Sequence, residues 1–370
     1  MKKSLIALAV AGVVSAPAFA ATSNVDIYGV MSFSVNQMDT EQVAGTDSSD
    51  MNAGVDNVSR IGFKGSEDLG GGLKGIWQVE TQLNADFADG GTMGALRNTF
   101  VGLSGGFGTV VMGRHDTPYK LATGALDPFA DTIGDYNAII GRSSAVGDST
   151  QFDVRAPQTI AYISPTVSGF HAAVAYISIE NPEAAGSDET SAYSLMGMYN
   201  NGPLFASLAY EKHDGGLVNA LAATYANNTG RAAWKLGLGY TMGDAKVGFV
   251  YEDQSIDPTG AGTALENRQE HSAYYLTGSY AMGPIVLKAA YGSADSGNGV
   301  GVDNGASFYV LGADYVMSKR TSVYAMYADL SNDGVKGNIN SGSYDLKNTG
   351  AVGQTGGTTN GFSIGVKHTF

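Results

Sequence analysis

The sequence predicts an all-β fold, a closed antiparallel transmembrane β-barrel of about 16 strands, and three observations predict it. Side chains alternate apolar and polar with a period of two along segments of roughly ten residues, the length of a tilted strand crossing a bilayer. The connections alternate long and short, like the extracellular loops and periplasmic turns of a membrane barrel. Composition agrees: 52 Gly, 20 Tyr and 9 Pro in 370 residues suit short strands and tight turns, because glycine weakens helices and tyrosine favours strands.

The first element, residues 1–20, reads as a cleaved signal peptide. Lys2 and Lys3 precede an apolar run from Leu5 to Val14, and Ala18-Phe19-Ala20 supplies the small-residue cleavage site. The mature chain, 21–370, is a single barrel domain, and it contains no apolar run near the roughly 18 residues a membrane helix requires.

The strands follow in order. In 24–37, Val25, Ile27, Gly29, Met31, Phe33 and Val35 share one face, and Asp26, Tyr28, Ser32 and Ser34 the other. In 56–66, Ile61 and Phe63 oppose Arg60, Gly62 and Lys64. In 71–84, Leu73, Gly75, Trp77 and Val79 oppose Lys74, Gln78, Glu80 and Gln82. Further segments cover 95–105, 107–115, 154–164, 168–180, 190–200, 203–213, 229–241, 244–255, 269–281, 284–294, 305–317 and 321–331. The last, 359–370, alternates Phe362, Ile364, Val366 and Phe370 with Gly361, Ser363, Lys367 and Thr369.

Alternation alone fits a soluble sandwich as well as a barrel; connection lengths decide between them. Residues 38–55, 85–94, 116–153, 181–189, 214–228, 256–268, 295–304 and 332–358 form the long connections. Between them lie turns such as Gly105-Gly106, Asn201-Gly202, Met242-Gly243, Met282-Gly283 and Ser318-Lys319-Arg320. An even strand number brings the last strand beside the first, so that no edge is left unpaired in lipid. Tyr162, Tyr176, Tyr210, Tyr240, Tyr280, Tyr315 and Tyr327 fall near strand ends, where aromatic girdles sit.

Charge and composition exclude several functions. The chain carries 21 Lys and Arg against 35 Asp and Glu, a formal net charge of −14, which disfavours nucleic acid as a partner. With no cysteine there is neither a disulfide framework nor a thiolate metal site, and nothing calls for a cofactor. His115, His171, His213, His271 and His368 lack an accompanying nucleophile motif, which argues against an enzyme.

Several motifs resemble one family. VDIYG at 25–29, SRIGFKGSEDLGGGLKGIWQVE at 59–80, RNTFVGLSGGFGTVVMGR at 97–114, ISPTVSGF at 163–170 and the terminal KHTF resemble the sixteen-stranded trimeric general porins of Gram-negative bacteria. The resemblance runs from Asn24 to Phe370, and the terminal phenylalanine resembles an outer-membrane assembly signal. It implies a homotrimer in the outer membrane, surrounded by lipid and lipopolysaccharide, with a water-filled channel in each subunit for passive diffusion of small hydrophilic solutes and ions. It also implies that the third long loop, 116–153, folds inward to form the constriction.

In that family, arginines on the wall face carboxylates on the inward loop. Matched by motif, the wall arginines are Arg60, Arg97 and Arg155, with Arg114 as a fourth; Glu80 is a wall acid. The family's PEFGG-like element is absent and DPFADTIGDYN stands in its place, making Asp127 and Asp131 the loop acids. Alternation independently puts Arg60 on the polar face, and a guanidinium facing lipid there would cost about 2–4 kcal/mol. Arg97 and Arg114 share a face with Val101 and Leu103, or with Val110 and Met112, which calls for a bulge or a rim position.

Some relatives carry a lysine where Val30 stands, so one wall cation is missing, and the acidic loops tip the expected preference toward cations. The same loops offer oxygen ligands for divalent cations that bridge to lipopolysaccharide phosphates. The alternative function is a substrate-selective channel for sugars or other nutrients, with Tyr119, Phe129 and Tyr136 as a stacking surface.

Overall fold

A computed structural model describes residues 24–41, 48–84, 93–142, 152–179, 190–214, 230–257, 270–297, 303–335, 344–347 and 356–370. The predicted signal peptide lies outside the described residues. Sixteen antiparallel strands close into a barrel. They are β1 (Asn24–Thr40), β2 (Ser48–Asp56 and Arg60–Gly70), β3 (Leu73–Leu83), β4 (Met93–Leu96 and Thr99–Gly105), β5 (Gly108–Asp116) and β6 (Arg155–Ile163). The wall continues through β7 (Phe170–Ile179), β8 (Thr190–Asn201), β9 (Leu204–Asp214), β10 (Gly230–Met242) and β11 (Ala245–Asp257). It ends with β12 (His271–Met282), β13 (Ile285–Ala294), β14 (Ala306–Val316), β15 (Thr321–Asn332) and β16 (Thr358–Thr369).

Each strand pairs with its sequence neighbours, and β16 returns to β1 in a register running from Val30↔Thr369 to Thr40↔Thr359. Closure is completed at the terminus, where the Phe370 amide donates to the Gly29 carbonyl and the Gly29 amide to that of Phe370. The alternation seen in the sequence sorts cleanly in space. Val25, Ile27, Leu208, Leu311, Phe362 and Ile364 are exposed on the outer surface, whereas Ser32, Ser34, Glu211, Lys235 and Glu252 are buried on the inner one. Outward rings meet in pairs toward the loop ends, Tyr176 with Tyr193, Trp234 with Tyr251, Tyr274 with Tyr291, and Tyr309 with Tyr327. Exposed Tyr162, Tyr240, Tyr280 and Tyr315 stand nearer the turns.

The first long connection, expected over 38–55, is mostly strand: β1 and β2 stay paired up to Thr40↔Ser48. Hydrophobic alternation cannot reveal such an extension. Beyond the lipid band the outer face of a hairpin is wet as well, so the exposed Asp39 between buried Met38 and Thr40 is polar and no apolar residue marks that face.

Two strands are interrupted. In β2 the break spans Asn57, Val58 and Ser59, with Val58 at φ 57°, a left-handed conformation unfavourable for a β-branched residue. Hydrogen bonds hold it there: the Asn57 side-chain amide donates to Ser34 Oγ and Tyr324 Oη, and the Ser32 amide donates to Ser59 Oγ. In β4 the break falls at Arg97-Asn98, and the β5–β6 register shifts between Gly113 and His115. All three irregularities adjoin an arginine of the inner wall.

Inside the barrel, the connection after β5 packs against one half of the wall. It opens with a short helix, α1 (Pro118–Leu121), whose Thr117 hydroxyl accepts from the Lys120 amide. Phe129, Ile133, Tyr136, Ile139 and Ile140 of this loop join Val250, Tyr275, Phe308, Val310 and Leu330 in one buried cluster. The wall makes room with glycine: a Cβ on Gly312 would stand 2.9 Å from the Phe129 ring. The larger cluster therefore lies on the β11–β15 side, a second one sets Tyr119, Ala122 and Phe152 of the loop against Ala173, Met196, Ala209 and Ala233 on β7–β10, and charged groups gather beside β2–β6.

Candidate functional site

A buried cross-strand pair ties the loop to the wall. Lys235 on β10 and Glu252 on β11 are register partners, both fully buried. Tyr119 Oη donates to Glu252 Oε2 at 2.8 Å, and the Gly141 amide donates to Glu252 Oε1 at 2.8 Å. Lys235 Nζ pairs with Asp153, whose other oxygen accepts from Tyr136 Oη at 2.6 Å and Asn137 Nδ2 at 2.9 Å. The start, middle and end of the loop are thus gripped at one place. Further along, Lys288 Nζ donates to the Pro128 carbonyl at 2.9 Å and pairs with Asp314 at 2.8 Å.

Arg60 and Asp131 meet across the lumen. Arg60 Nη1 lies 2.9 Å from Asp131 Oδ2 and also donates to the Val58 carbonyl at 3.0 Å, so the β2 break itself orients the guanidinium. Asp131 adopts φ 65° in the loop, and its side chain remains 25% exposed to water.

Arg97 Nε approaches Glu80 Oε1 to 2.5 Å, while Glu80 Oε2 accepts from Tyr28 Oη at 2.8 Å. Arg155 Nη2 lies 3.0 Å from Asp116 Oδ1, and its Nε donates to Asn98 Oδ1. Lys120 adds a second, looser contact to Asp116 at 3.5 Å. Arg114 stands beside this group, and its Nε has no hydrogen-bond partner among the described residues.

Asp127 sits elsewhere. It is 9% exposed and accepts from the amides of Phe129 and Tyr136 and from Tyr275 Oη. Burial, reinforced by the nearby Asp135 carboxylate, pushes its pKa up to about 8 despite those bonds. Asp127 therefore shapes the loop, and Asp131, four residues on, supplies the lumen carboxylate. Tyr119, Phe129 and Tyr136 are likewise buried in the loop-wall packing and offer no face for a passing sugar to stack on.

Sequence reasoning missed Asn98, which binds both Arg155 and Asp116, and its loop acids, Asp127 and Asp131, did not include Asp116. The one available signal was the position of Asn98 directly after Arg97, on a strand where the arginine already broke the alternation. Nothing marked Lys120.

The model of a family described as Gram-negative porin matches residues 7–335. Outer membrane porin protein 32 of Delftia acidovorans is 30% identical over 376 residues, covering all of both chains. Major outer membrane protein P.IB of Neisseria meningitidis serogroup B is 32% identical over 334 residues, 87% of this chain and 91% of that one. Among solved structures, an anion-selective porin from Comamonas acidovorans superposes with a TM-score of 0.78 at 27% identity, covering 94% of this chain and 100% of that one. The trimer form of OmpT from Vibrio cholerae shares the fold, with a TM-score of 0.67 at 19% identity over 94% of this chain and 99% of that one.

Proposed function

Because the chain belongs to the Gram-negative porin family, a family of outer-membrane channels rather than enzymes, we propose that it forms a water-filled pore for passive diffusion of small hydrophilic solutes and ions, filtered by size and charge where the 116–153 loop narrows the lumen. The observation that carries this reading is the loop held against one half of the wall while Asp131 reaches Arg60 on the other. Opposed charges across a narrow aqueous passage set up a transverse field, and low-dielectric walls focus it.

The balance of charge favours anions. Arg60, Arg97, Arg114, Arg155 and Lys120 face only Asp131, Glu80 and Asp116 in this group, an excess of cations among the described residues. The acidity of the chain as a whole pointed toward cations instead. Charges at a wide mouth, however, are screened within about 8 Å at physiological salt, whereas those at the narrowest point act on every ion that passes. The 27% identical Comamonas porin is described as anion-selective, in keeping with this reading.

Assembly as a homotrimer, within lipid and lipopolysaccharide, completes the proposal. Among the described residues no group of three or more His, Asp or Glu is arranged to hold a metal, and much of the long connections expected to bind divalent cations lies outside the described residues. The test is ion current through purified protein in a planar bilayer, with reversal potential measured under a salt gradient. Stepwise currents reversing on the anion side are expected; folded protein that passes no current would refute the pore.

A further inference from the structure

Four described residues of the connection between β15 and β16, Tyr344 to Lys347, do not behave as solvated loop. Tyr344 and Leu346 are 1% and 3% exposed and join the cluster that holds Ile139, Ile140, Phe308 and Leu330. The Tyr344 amide donates to Asn332 Oδ1 at 2.8 Å, and Asn332 Nδ2 donates back to the Tyr344 carbonyl at 3.0 Å. The Tyr344 ring stands edge-on to His271 on β12. From the constriction loop, Arg142 Nη1 donates to the Asp345 carbonyl at 3.2 Å. The segment is therefore fastened to the wall and to the loop at once.

Alternation along these four residues leaves Asp345 and Lys347 only partly buried while Tyr344 and Leu346 anchor them. Lys347 lies within electrostatic range of Arg142, Lys120, Asp135 and Asp345. Asp135 in turn accepts from the Asp131 amide, beside the Arg60 contact. Three cations thus collect around two carboxylates next to the constriction. Resting on the porin reading, we propose that the last extracellular connection carries a second, cationic filter on the loop, in which Lys347 and Arg142 are selectivity-determining residues for anions.

Two observations support it. Cations crowded together in a partly desolvated place are costly unless an anion relieves them, which is the arrangement expected where anions pass or pause. Burial, together with the charge of Arg142 and Lys120, also brings the Lys347 ammonium down to about 8, with Asp135 and Asp345 pulling it back up. Lys347 is charged below that pH and neutral above it, so its contribution to anion preference is present at pH 7 and fades as the pH rises through 8.

The experiment is the reversal potential of the full chain in a planar bilayer, under a tenfold salt gradient, at several pH values from 7 to 9.5. Wild type, Lys347→Arg, Lys347→Gln and Arg142→Gln are compared. Expected at pH 7 is a fall of about twofold in the anion-to-cation permeability ratio for each glutamine variant, the effect of losing one charge beside a narrow passage. Lys347→Arg should keep the wild-type ratio at pH 7 and show a smaller decline at pH 9.5. That comparison isolates Lys347 from Asp127, which titrates in the same range in both proteins. Equal declines in wild type and Lys347→Arg, or a wild-type ratio in Lys347→Gln at pH 7, would overturn the second filter, whereas absence of current from every folded protein would overturn the pore reading instead.

Discussion

Removing Arg60 tests the transverse field most directly. In the Arg60-Asp131 contact the two charges nearly cancel for a distant ion; Arg60→Ala leaves Asp131 alone, so the local charge falls by one. An ion passing about 5 Å away, in water, then feels roughly 0.8 kcal/mol, reduced by screening at 0.1 M salt to about 0.5 kcal/mol. That raises cations about twofold and lowers anions by the same factor, a shift of roughly fivefold in the permeability ratio toward cations. At 1 M salt the Debye length is about 3 Å, and the shift should shrink to less than about twofold. Asp131→Asn should move the ratio a similar distance the other way, and the double variant should return close to wild type. The assay is reversal potential at both salt concentrations. Single variants that shift selectivity in the same direction, or a shift that does not weaken with salt, would refute the argument.

Two further outcomes follow from the loop's anchorage. Lys235→Met strands the Asp153 and Glu252 carboxylates without their cation, and breaking a buried pair in this way costs about 3–5 kcal/mol. Thermal unfolding in detergent should fall accordingly and open-channel current should become noisier, while a quiet channel of unchanged stability would show that the loop is held by its apolar contacts alone. Asp127, with its pKa raised to about 8, contributes stability that is fully present below the unfolded carboxylate range and lost as the pH rises through 8. Asp127→Asn should therefore match wild type in melting temperature near pH 4 and exceed it at pH 9; equal melting at both would remove the burial argument.

The sequence was legible wherever one face of a strand met lipid and the other met water. Ile61 and Phe63 against Arg60 and Lys64 placed β2 in the wall, and the same contrast placed the remaining strands to within a few residues. It lost its grip where that contrast ended, as at the paired end of β1 and β2, where the exposed Asp39 between buried Met38 and Thr40 is polar. The choice between Asp127 and Asp131 was illegible for another reason. They lie four residues apart in one turn, and only the fold of that turn, with three donors closing on Asp127 and a left-handed Asp131, separates a structural carboxylate from a lumen-facing one. Contacts such as Tyr119 to Glu252, separated by 133 residues, leave no local trace at all.

These two kinds of residue divide the barrel. On β10 to β14 the inner wall spends its polar groups and glycines on the loop: Lys235, Glu252, Tyr275 and Lys288 bind it, and Gly312 gives it space. On β2 to β6 the inner wall meets the loop through ion pairs, Arg60 with Asp131 and Arg155 with Asp116, and its strand irregularities put guanidinium groups toward water. A regular strand would hold alternate side chains straight inward at fixed spacing; the breaks at 57–59 and 97–98 and the shift at 113–115 let Arg60, Arg97 and Arg114 depart from that spacing and gather. Restoring regular pairing at these breaks would therefore disperse the cations while leaving every one of them in the sequence, and selectivity would fall without any change in net charge.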